Sequence, residues 1–201
     1  LHYLYQKGCR HVPPVYWYGM YETQTTLVMP LYDCTLEHYV KNNIIDQKKI
    51  KNLATQMIDI LIHIHQYGVI HRDIKPQNFM LRDESIVLID FGLATIYLDE
   101  NNQHMKEKSK DSFIMGTPKF ISLFVHDGND PCRRDDVISV LYIYLYILYE
   151  KLPWENVTTQ EDSDYSPYHI LHPNNQKRKW LKEDFHRNNQ WKKKMFDYVH
   201  E

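Results

Sequence analysis

The chain contains few cysteines and no apolar run long enough to cross a membrane. Its three cysteines, Cys9, Cys34 and Cys132, are far apart and show neither metal-ligand spacing nor a disulfide framework. A reducing compartment fits this use of cysteine, so we expect an intracellular protein of the cytoplasm, the nucleus or both. The longest apolar run, at 137–149, has about a dozen residues, whereas a membrane-spanning helix needs ~20. It therefore predicts a buried core helix.

Strong charge of either sign is also absent. The net charge of the 201 residues is −2, which gives no reason to expect a nucleic acid or a membrane surface as partner. Histidine is plentiful, but His63 and His65 do not share a helix face, so the sequence does not predict zinc there. The chain has no internal repeat, and its length suits one domain with a hydrophobic core.

The first third of the chain predicts a strand pair followed by a helix. Residues 15–18 and 25–29 are rich in strand-forming types and are expected to pair antiparallel, with Gly19 near the turn. Pro30 should end the second strand, because proline cannot donate to a strand ladder. The hydroxyl of Thr35 can cap a short helix.

Two later helices and one strand follow from apolar spacing. The run 86–89 predicts a buried strand that delivers Asp90 at its end, and Gly68 is expected to end a long amphipathic helix. A basic stretch near the end predicts a helix with one solvated face. The apolar positions of the long helix are Ile50, Leu53, Ala54, Met57, Ile60, Leu61 and Ile64; the basic stretch contains Lys177, Arg178, Lys179, Trp180, Leu181, Lys182 and Phe185.

Residues 71–78 read H-R-D-I-K-P-Q-N, and D-F-G follows at 90–92. This combination is the motif set of a protein kinase catalytic core. In that chemistry Asp73 would accept the proton of the substrate hydroxyl, and Lys75 would offset charge on the transferred phosphate. The sequence therefore predicts a phosphotransferase.

The same motifs supply ligands for a hard cation. The side chains of Asn78 and Asp90 offer the oxygens that Mg²⁺ prefers, so ATP and Mg²⁺ are the expected cofactors. Phe91 would pack inward and set the direction of Asp90. A small-molecule kinase of the aminoglycoside type also uses H-x-D and a later metal aspartate, but Lys75 and the D-F-G triplet argue against it.

Beyond these motifs, the chain resembles the casein kinase I family of Ser/Thr kinases. Lys75 favours a Ser/Thr kinase, since tyrosine kinases usually lack lysine there, and the chain lacks the A-P-E triplet that casein kinase I also lacks. The resemblance runs from the start to about Trp154. Its patterns are H-R-D-I-K-P-Q-N-F at 71–79, Y-L-D at 97–99 with Q-H at 103–104, G-T-P-K-F-I-S at 116–122, and H-x-G at 126–128 leading to R-R-D-D at 133–136 and L-P-W at 152–154.

The resemblance implies an α+β, protein-kinase-like fold: a mainly helical large lobe, the last strands of the small lobe, and an incomplete small lobe. Residues 1–30 would be the remnant of the small lobe and the start of the hinge, and 31–201 a large lobe truncated at its C-terminus. Asp136 would brace the catalytic-loop backbone by capping buried amides, with Arg72 and Thr117 as further structural support.

The resemblance also implies a nucleotide site. Met29 resembles the gatekeeper, and Pro30, Leu31 and Tyr32 resemble the hinge that holds adenine through backbone groups. Met80 would form the apolar floor under the base. Ordinary core packing would also explain the two methionines.

Protein substrates with acidic or phosphorylated flanks are the expected partners. Casein kinase I enzymes use an anion site whose positions match Lys119 and Asn156 here. Arg72 could pair with a phosphorylated Ser109 or Ser112. That switch is not expected, because casein kinase I enzymes generally need no such phosphorylation.

A glycine-rich loop and a strand lysine paired with a helix glutamate are missing from the sequence. Gly8 stands alone and forms no phosphate loop. We expect a fragment of an active enzyme, since the catalytic positions keep their working residue types; this fragment alone would bind ATP poorly. The alternative is a pseudokinase or binding module without the small lobe.

Overall fold

The computed structural model describes residues 1–101, 103–105, 113–157 and 166–188. Within this part of the chain the structure has mixed α+β content, with six α-helices and seven short strands. The helices are His2–Gln6 (α1), Leu36–Asn42 (α2), Gln47–Gln66 (α3), Leu123–His126 (α4), Arg133–Tyr149 (α5) and Pro173–Arg187 (α6). The strands are Trp17–Tyr21 (β1), Gln24–Val28 (β2), Cys34–Thr35 (β3), Val69–Ile70 (β4), Phe79–Arg82 (β5), Ser85–Leu88 (β6) and Thr95–Ile96 (β7).

The described strands form three small antiparallel sheets: β1–β2, β3–β5–β6 and β4–β7. The predicted pairing of the first two strands is present, but the predicted turn is wrong. Gly19 lies inside β1 opposite Thr26, and the turn is formed by Glu22 and Thr23. Glu22 takes the left-handed backbone conformation that the turn requires, at φ 53°.

The central helix α3 forms as its apolar spacing predicts. The side chain of Asp46 accepts a hydrogen bond from the amide of Lys49 at 2.7 Å and caps the helix start. Gly68, at φ +75°, follows the last turn in the left-handed conformation that ends many helices. Six of the seven apolar positions are buried, and Ala54 is half-buried.

Helix α5 packs against α3 and contains the long apolar run. Its inner residues are buried, and its first turn buries two carboxylates, those of Asp135 and Asp136. The prediction of a core helix is therefore correct. Within the described ranges, the structure contains no helix whose length and apolar content would let it cross a membrane.

Helix α6 corrects one sequence expectation. Pro173 occupies its first turn, and Trp180 is exposed on the outer face. Lys182, expected on the solvated face with the other basic residues, is instead fully buried. It lies on the inner face because residues 178, 182 and 185 follow each other at helical spacing.

Two isoleucines of α3 test the packing of this core. Replacing the buried Ile60 by alanine should lower the free energy of unfolding by about 2–5 kcal/mol, because a cavity opens against well-packed neighbours. Ile62 is 46% exposed, and the same replacement there should cost less than about 1 kcal/mol. Chemical denaturation of both variants checks the difference; equal losses would contradict the described burial.

Candidate active site

The carboxylate of Asp73 is the centre of a small polar cluster. Lys75 donates from Nζ to Asp73 Oδ2 at 2.6 Å, and the hydroxyl of Thr117 donates to Oδ1 at 2.7 Å. Lys75 Nζ also lies 3.2 Å from the Thr117 oxygen, so the three side chains form a closed set of contacts. The side-chain amide of Asn78 donates from Nδ2 to the backbone oxygen of Asp73 at 2.9 Å. Asp73 is thus held on both carboxylate oxygens and on its own carbonyl.

Asp136 braces the loop that carries Asp73. Its Oδ2 accepts the backbone amide of His71, and its Oδ1 accepts the backbone amide of Arg72, both at 2.9 Å. The ring of His65 donates to Oδ2 at 2.9 Å as well. The predicted capping of buried amides is therefore present in the structure. It holds Arg72 at a left-handed φ of 68°, a conformation that residues other than glycine rarely take.

His71 connects the catalytic loop to the end of β6. The amide of Asp73 donates to His71 Nδ1 at 3.3 Å, so the proton of the neutral ring lies on Nε2, which donates to the oxygen of Ile89 at 3.0 Å. Burial lowers the pKa of His71 and favours this neutral form. Phe91 packs edge-on against the same ring at 4.8 Å, which agrees with the inward packing expected for it.

Gly116 brings the segment that begins at residue 113 close to the catalytic loop. Its φ is +91°, and a Cβ at this position would lie 2.5 Å from the backbone oxygen of Arg72. Only glycine can therefore occupy this position without moving one of the two backbones. The close approach places the next residue, Thr117, on Asp73.

Asn78 and Asp90 both carry side-chain oxygens of the kind that bind a hard cation. The amide nitrogen of Asn78 donates towards Asp73, so that among the described residues its carbonyl oxygen remains available as a ligand. The backbone amide of Ile89 donates to the backbone oxygen of Asn78 at 2.9 Å. Because Asp90 is the next residue, this contact holds the backbone of Asp90 near that of Asn78. The Asp90 carboxylate is exposed, and a Cβ on Gly92 would lie 3.2 Å from its Oδ1. A hard cation such as Mg²⁺ fits this donor set.

A cavity of about 900 Å³ opens beside Asp90. Met29 lines it together with residues of β1, β2 and the chain start. Asp90 belongs to the lining as well, whereas the other predicted nucleotide residues, at positions 30–32 and 80, do not belong to the lining found within the described ranges. Leu31 is 93% exposed, Pro30 and Tyr32 are half-buried, and Met80 pairs with Thr35 between β5 and β3.

In the predicted anion site, Lys119 already has an acidic partner. The ammonium of Lys119 is paired with the carboxylate of Glu155 and lies 4.2 Å from the ring centre of Tyr146. Its charge is therefore already compensated by a residue 36 positions away, a pairing that sequence analysis does not predict. Asn156 is exposed beside this pair.

The serines of the phosphorylation switch, which is not expected, lie beyond what the structure describes. Ser109 and Ser112 are outside the described residues. Arg72, the basic residue of that switch, donates from Nε to the backbone oxygen of Leu93 at 2.5 Å.

Sequence reasoning missed three contributors to this region. His65 was considered only as a metal ligand, although it donates to Asp136. Glu155 and Lys182 were overlooked because charged residues are normally assigned to solvent. For Lys182 a signal was present, since it shares the helical spacing of the inward Phe185.

A comparison with models of protein families matches nearly the whole chain. The family model described as Protein kinase domain matches residues 3–200, nearly the whole chain. This agrees with the motif at 71–78 and with the mixed helix and strand content.

The brace can be tested by replacing Asp136 with asparagine. The new amide group would turn a donor towards a buried backbone amide, and the variant should lose about 1–3 kcal/mol of unfolding free energy. Asp127→Asn is the matched control: Asp127 is 40% exposed and pairs with Lys179 at 2.5 Å, so the loss should stay below about 1 kcal/mol. Denaturation curves of both variants measure the two losses. A loss of unfolding free energy for Asp136→Asn that is no larger than that for Asp127→Asn would contradict the bracing role.

Proposed function

We propose that this chain, which belongs to the protein kinase family, transfers the γ-phosphoryl group of ATP to serine and threonine hydroxyls of proteins. One observation carries the proposal: the carboxylate of Asp73 lies 2.6 Å from Lys75 Nζ and 2.7 Å from Thr117 Oγ1. A carboxylate fixed in this way can accept the proton of an incoming hydroxyl. Lysine at position 75 supports serine and threonine as acceptors, since tyrosine kinases usually lack it.

ATP would supply the phosphoryl group, and Mg²⁺ would offset its charge, as in other protein kinases. Asp73 accepts the hydroxyl proton, and the neighbouring Lys75 offsets charge on the transferred group. Asn78 and Asp90 offer the amide and carboxylate oxygens that suit Mg²⁺.

The cavity beside Asp90 supports the nucleotide part of the proposal. Its lining includes apolar side chains, among them Met29 and Leu27, which suit a flat purine. We further assign the backbone of residues 30–32 to the adenine edge and Met80 to the surface beneath it. In this proposal residues 1–30 belong to the small lobe and residues from 31 onward to the large lobe.

The casein kinase I resemblance leads to a substrate class with acidic or phosphorylated flanks. Lys119 is the basic residue for this preference, and Asn156 lies beside it. Because Glu155 already pairs with Lys119, the preference for an added anion is modest. All three cysteines are free thiols, which supports an intracellular location in the cytoplasm, the nucleus or both.

Asp73→Asn in the full-length protein tests the proposed reaction. Loss of the proton acceptor should lower the rate of ATP-dependent phosphorylation of casein by ~10²–10⁴-fold while the fold is kept. Asp59→Asn, an exposed change on α3, is the control and should leave the rate unchanged.

Three outcomes would oppose the proposal. Near-normal turnover by a folded Asp73→Asn protein would remove Asp73 from the mechanism. Binding of ATP and Mg²⁺ without transfer by the wild-type protein would favour a binding module. Phosphorylation of small hydroxylated compounds in place of casein would favour a small-molecule kinase.

Glu155→Gln tests the substrate preference. The change releases Lys119 from its partner, and we expect turnover of acidic and phosphorylated peptides to rise by about 2–5-fold relative to neutral peptides at low salt. Glu84→Gln is the matched control, since Glu84 pairs with Lys49 and is 82% exposed away from the site. Lys119→Glu should lower turnover of the same peptides.

Kinetics on a peptide panel at two salt concentrations distinguish the outcomes. A preference for basic flanks in the wild-type protein, or no response to either change, would exclude Lys119 as the anion-binding residue.

A further inference from the structure

The backbone segment Pro118–Ile121, here the anchored segment, is held from the protein interior at each of its four carbonyl oxygens. It follows directly after Thr117, whose hydroxyl contacts Asp73. Three side chains, from α5, from α6 and from the loop after α5, supply the donors. The contacts are Lys182 Nζ to the oxygens of Pro118 (3.0 Å) and Ile121 (2.6 Å), Trp154 Nε1 to the oxygen of Lys119 (2.8 Å), and Ser139 Oγ to the oxygen of Phe120 (2.8 Å). The single proton of Ser139 is shared with the backbone oxygen of Asp135, which lies 2.9 Å from the same hydroxyl.

Lys182 is the centre of this arrangement. Its side chain is 0% exposed, and its ammonium has three acceptors for its three N–H groups: the oxygens of Pro118 and Ile121 and, at 3.1 Å, Nε2 of His126. A buried lysine is costly unless all its donors are satisfied, and here they are. Packing alone would be served as well by an apolar side chain, so the contacts call for a more specific role.

His126 is suited to be the third acceptor. Burial is the largest cause that lowers the pKa of His126, and the nearby charges of Lys182, Arg178 and Lys179 lower it further. The ring is therefore neutral, and its Nε2 can accept from Lys182. Burial and Arg178 also lower the pKa of Lys182, but its three acceptors and the ring faces of Tyr142 and Trp154, at 5.2 and 5.5 Å, favour the charged form.

The anchored segment is hydrogen-bonded to Thr117 in the active site. The amides of Phe120 and Ile121 donate to the backbone oxygen of Thr117 at 2.8 and 3.2 Å. Thr117 is thus fixed through its carbonyl by the anchored segment and through its hydroxyl by Asp73. A shift of the segment would move Thr117 relative to Asp73 and would move Lys119, which lies within it.

We propose that Lys182 is a positioning residue that sets the protein-substrate side of the active site, by fixing the anchored segment relative to Asp73. The kinetic part of this inference rests on the proposed kinase function, whereas the structural part does not. Loss of Lys182 should therefore impair recognition of the acceptor peptide more than recognition of ATP, because the cavity beside Asp90 has no lining residue from α6 in the described part of the chain.

Hydrogen exchange of the chain tests the structural part without any activity. Lys182→Met removes three donors and keeps an apolar stem of similar length. Amide exchange in peptides that cover 116–122 should accelerate at least about tenfold, as expected for loss of a buried hydrogen bond, while α3 remains protected. Lys177→Met makes the same replacement at an exposed position of α6 and should change exchange less than about twofold.

Steady-state kinetics of the full-length protein test the functional part. For Lys182→Met we expect the KM for an acceptor peptide to rise about tenfold and the KM for ATP to stay within about twofold. Trp154→Phe removes the donor to the Lys119 oxygen and leaves a smaller ring beside Lys182, and it should change the peptide KM in the same direction by a smaller factor.

The outcomes separate the two proposals. Unchanged exchange at 116–122 and an unchanged peptide KM in folded Lys182→Met would overturn the positioning role, as would an equal rise in both KM values. If Lys182→Met does not fold, Trp154→Phe decides, and its lack of effect on exchange and on the peptide KM overturns the proposal. A wild-type protein without kinase activity would refute the proposed function, and hydrogen exchange would still decide whether Lys182 anchors the segment.

Discussion

The shape of the candidate active site depends on one buried carboxylate. Asp136 accepts the backbone amides of two successive residues, and this bidentate contact keeps Arg72 in its left-handed conformation. That conformation directs the next residue, Asp73, towards Lys75 and Thr117. It also presents the Arg72 carbonyl to Gly116, where no side chain would fit. Helix α5 thus fixes the catalytic loop through hydrogen bonds whose acceptor lies at the start of a helix with a long apolar run.

The site is held from two sides by two buried polar groups, one that accepts and one that donates hydrogen bonds. Asp136 binds peptide N–H groups of the catalytic loop, and Lys182 binds peptide carbonyls of the anchored segment. Each group is bound mainly by backbone dipoles and one histidine ring: His65 donates to Asp136, and His126 accepts from Lys182. Such contacts are directional, so they fix backbone positions more closely than apolar packing of the same volume would.

The fold and the family were predictable where the signal is local. Helix α3 follows from apolar spacing, the kinase family follows from contiguous motifs and is confirmed, and the capping role of Asp136 follows from a carboxylate at the start of an apolar helix.

Gly19 was misplaced because the turn conformation is taken by Glu22, a residue type that carries no turn signal. Lys119 and Glu155, which form a pair, lie 36 positions apart in the sequence, and Lys182 lies 56 positions from its partner His126. Charge alone assigns such residues to solvent, so only the folded structure reveals them. The catalytic and nucleotide-binding roles remain predictions.

The contacts of Asp136 and Lys182 also imply an order in which the site is assembled. His71 lies 65 positions before Asp136, and Pro118 lies 64 positions before Lys182. During synthesis the catalytic loop cannot close on its brace until α5 has emerged, and the anchored segment stays unsupported until α6 follows. Contacts this distant form only after the chain between them has been closed into a loop, an entropic cost that local helices do not carry. The catalytic loop can therefore reach its final geometry before the anchored segment, which is completed only when residue 182 has folded against it.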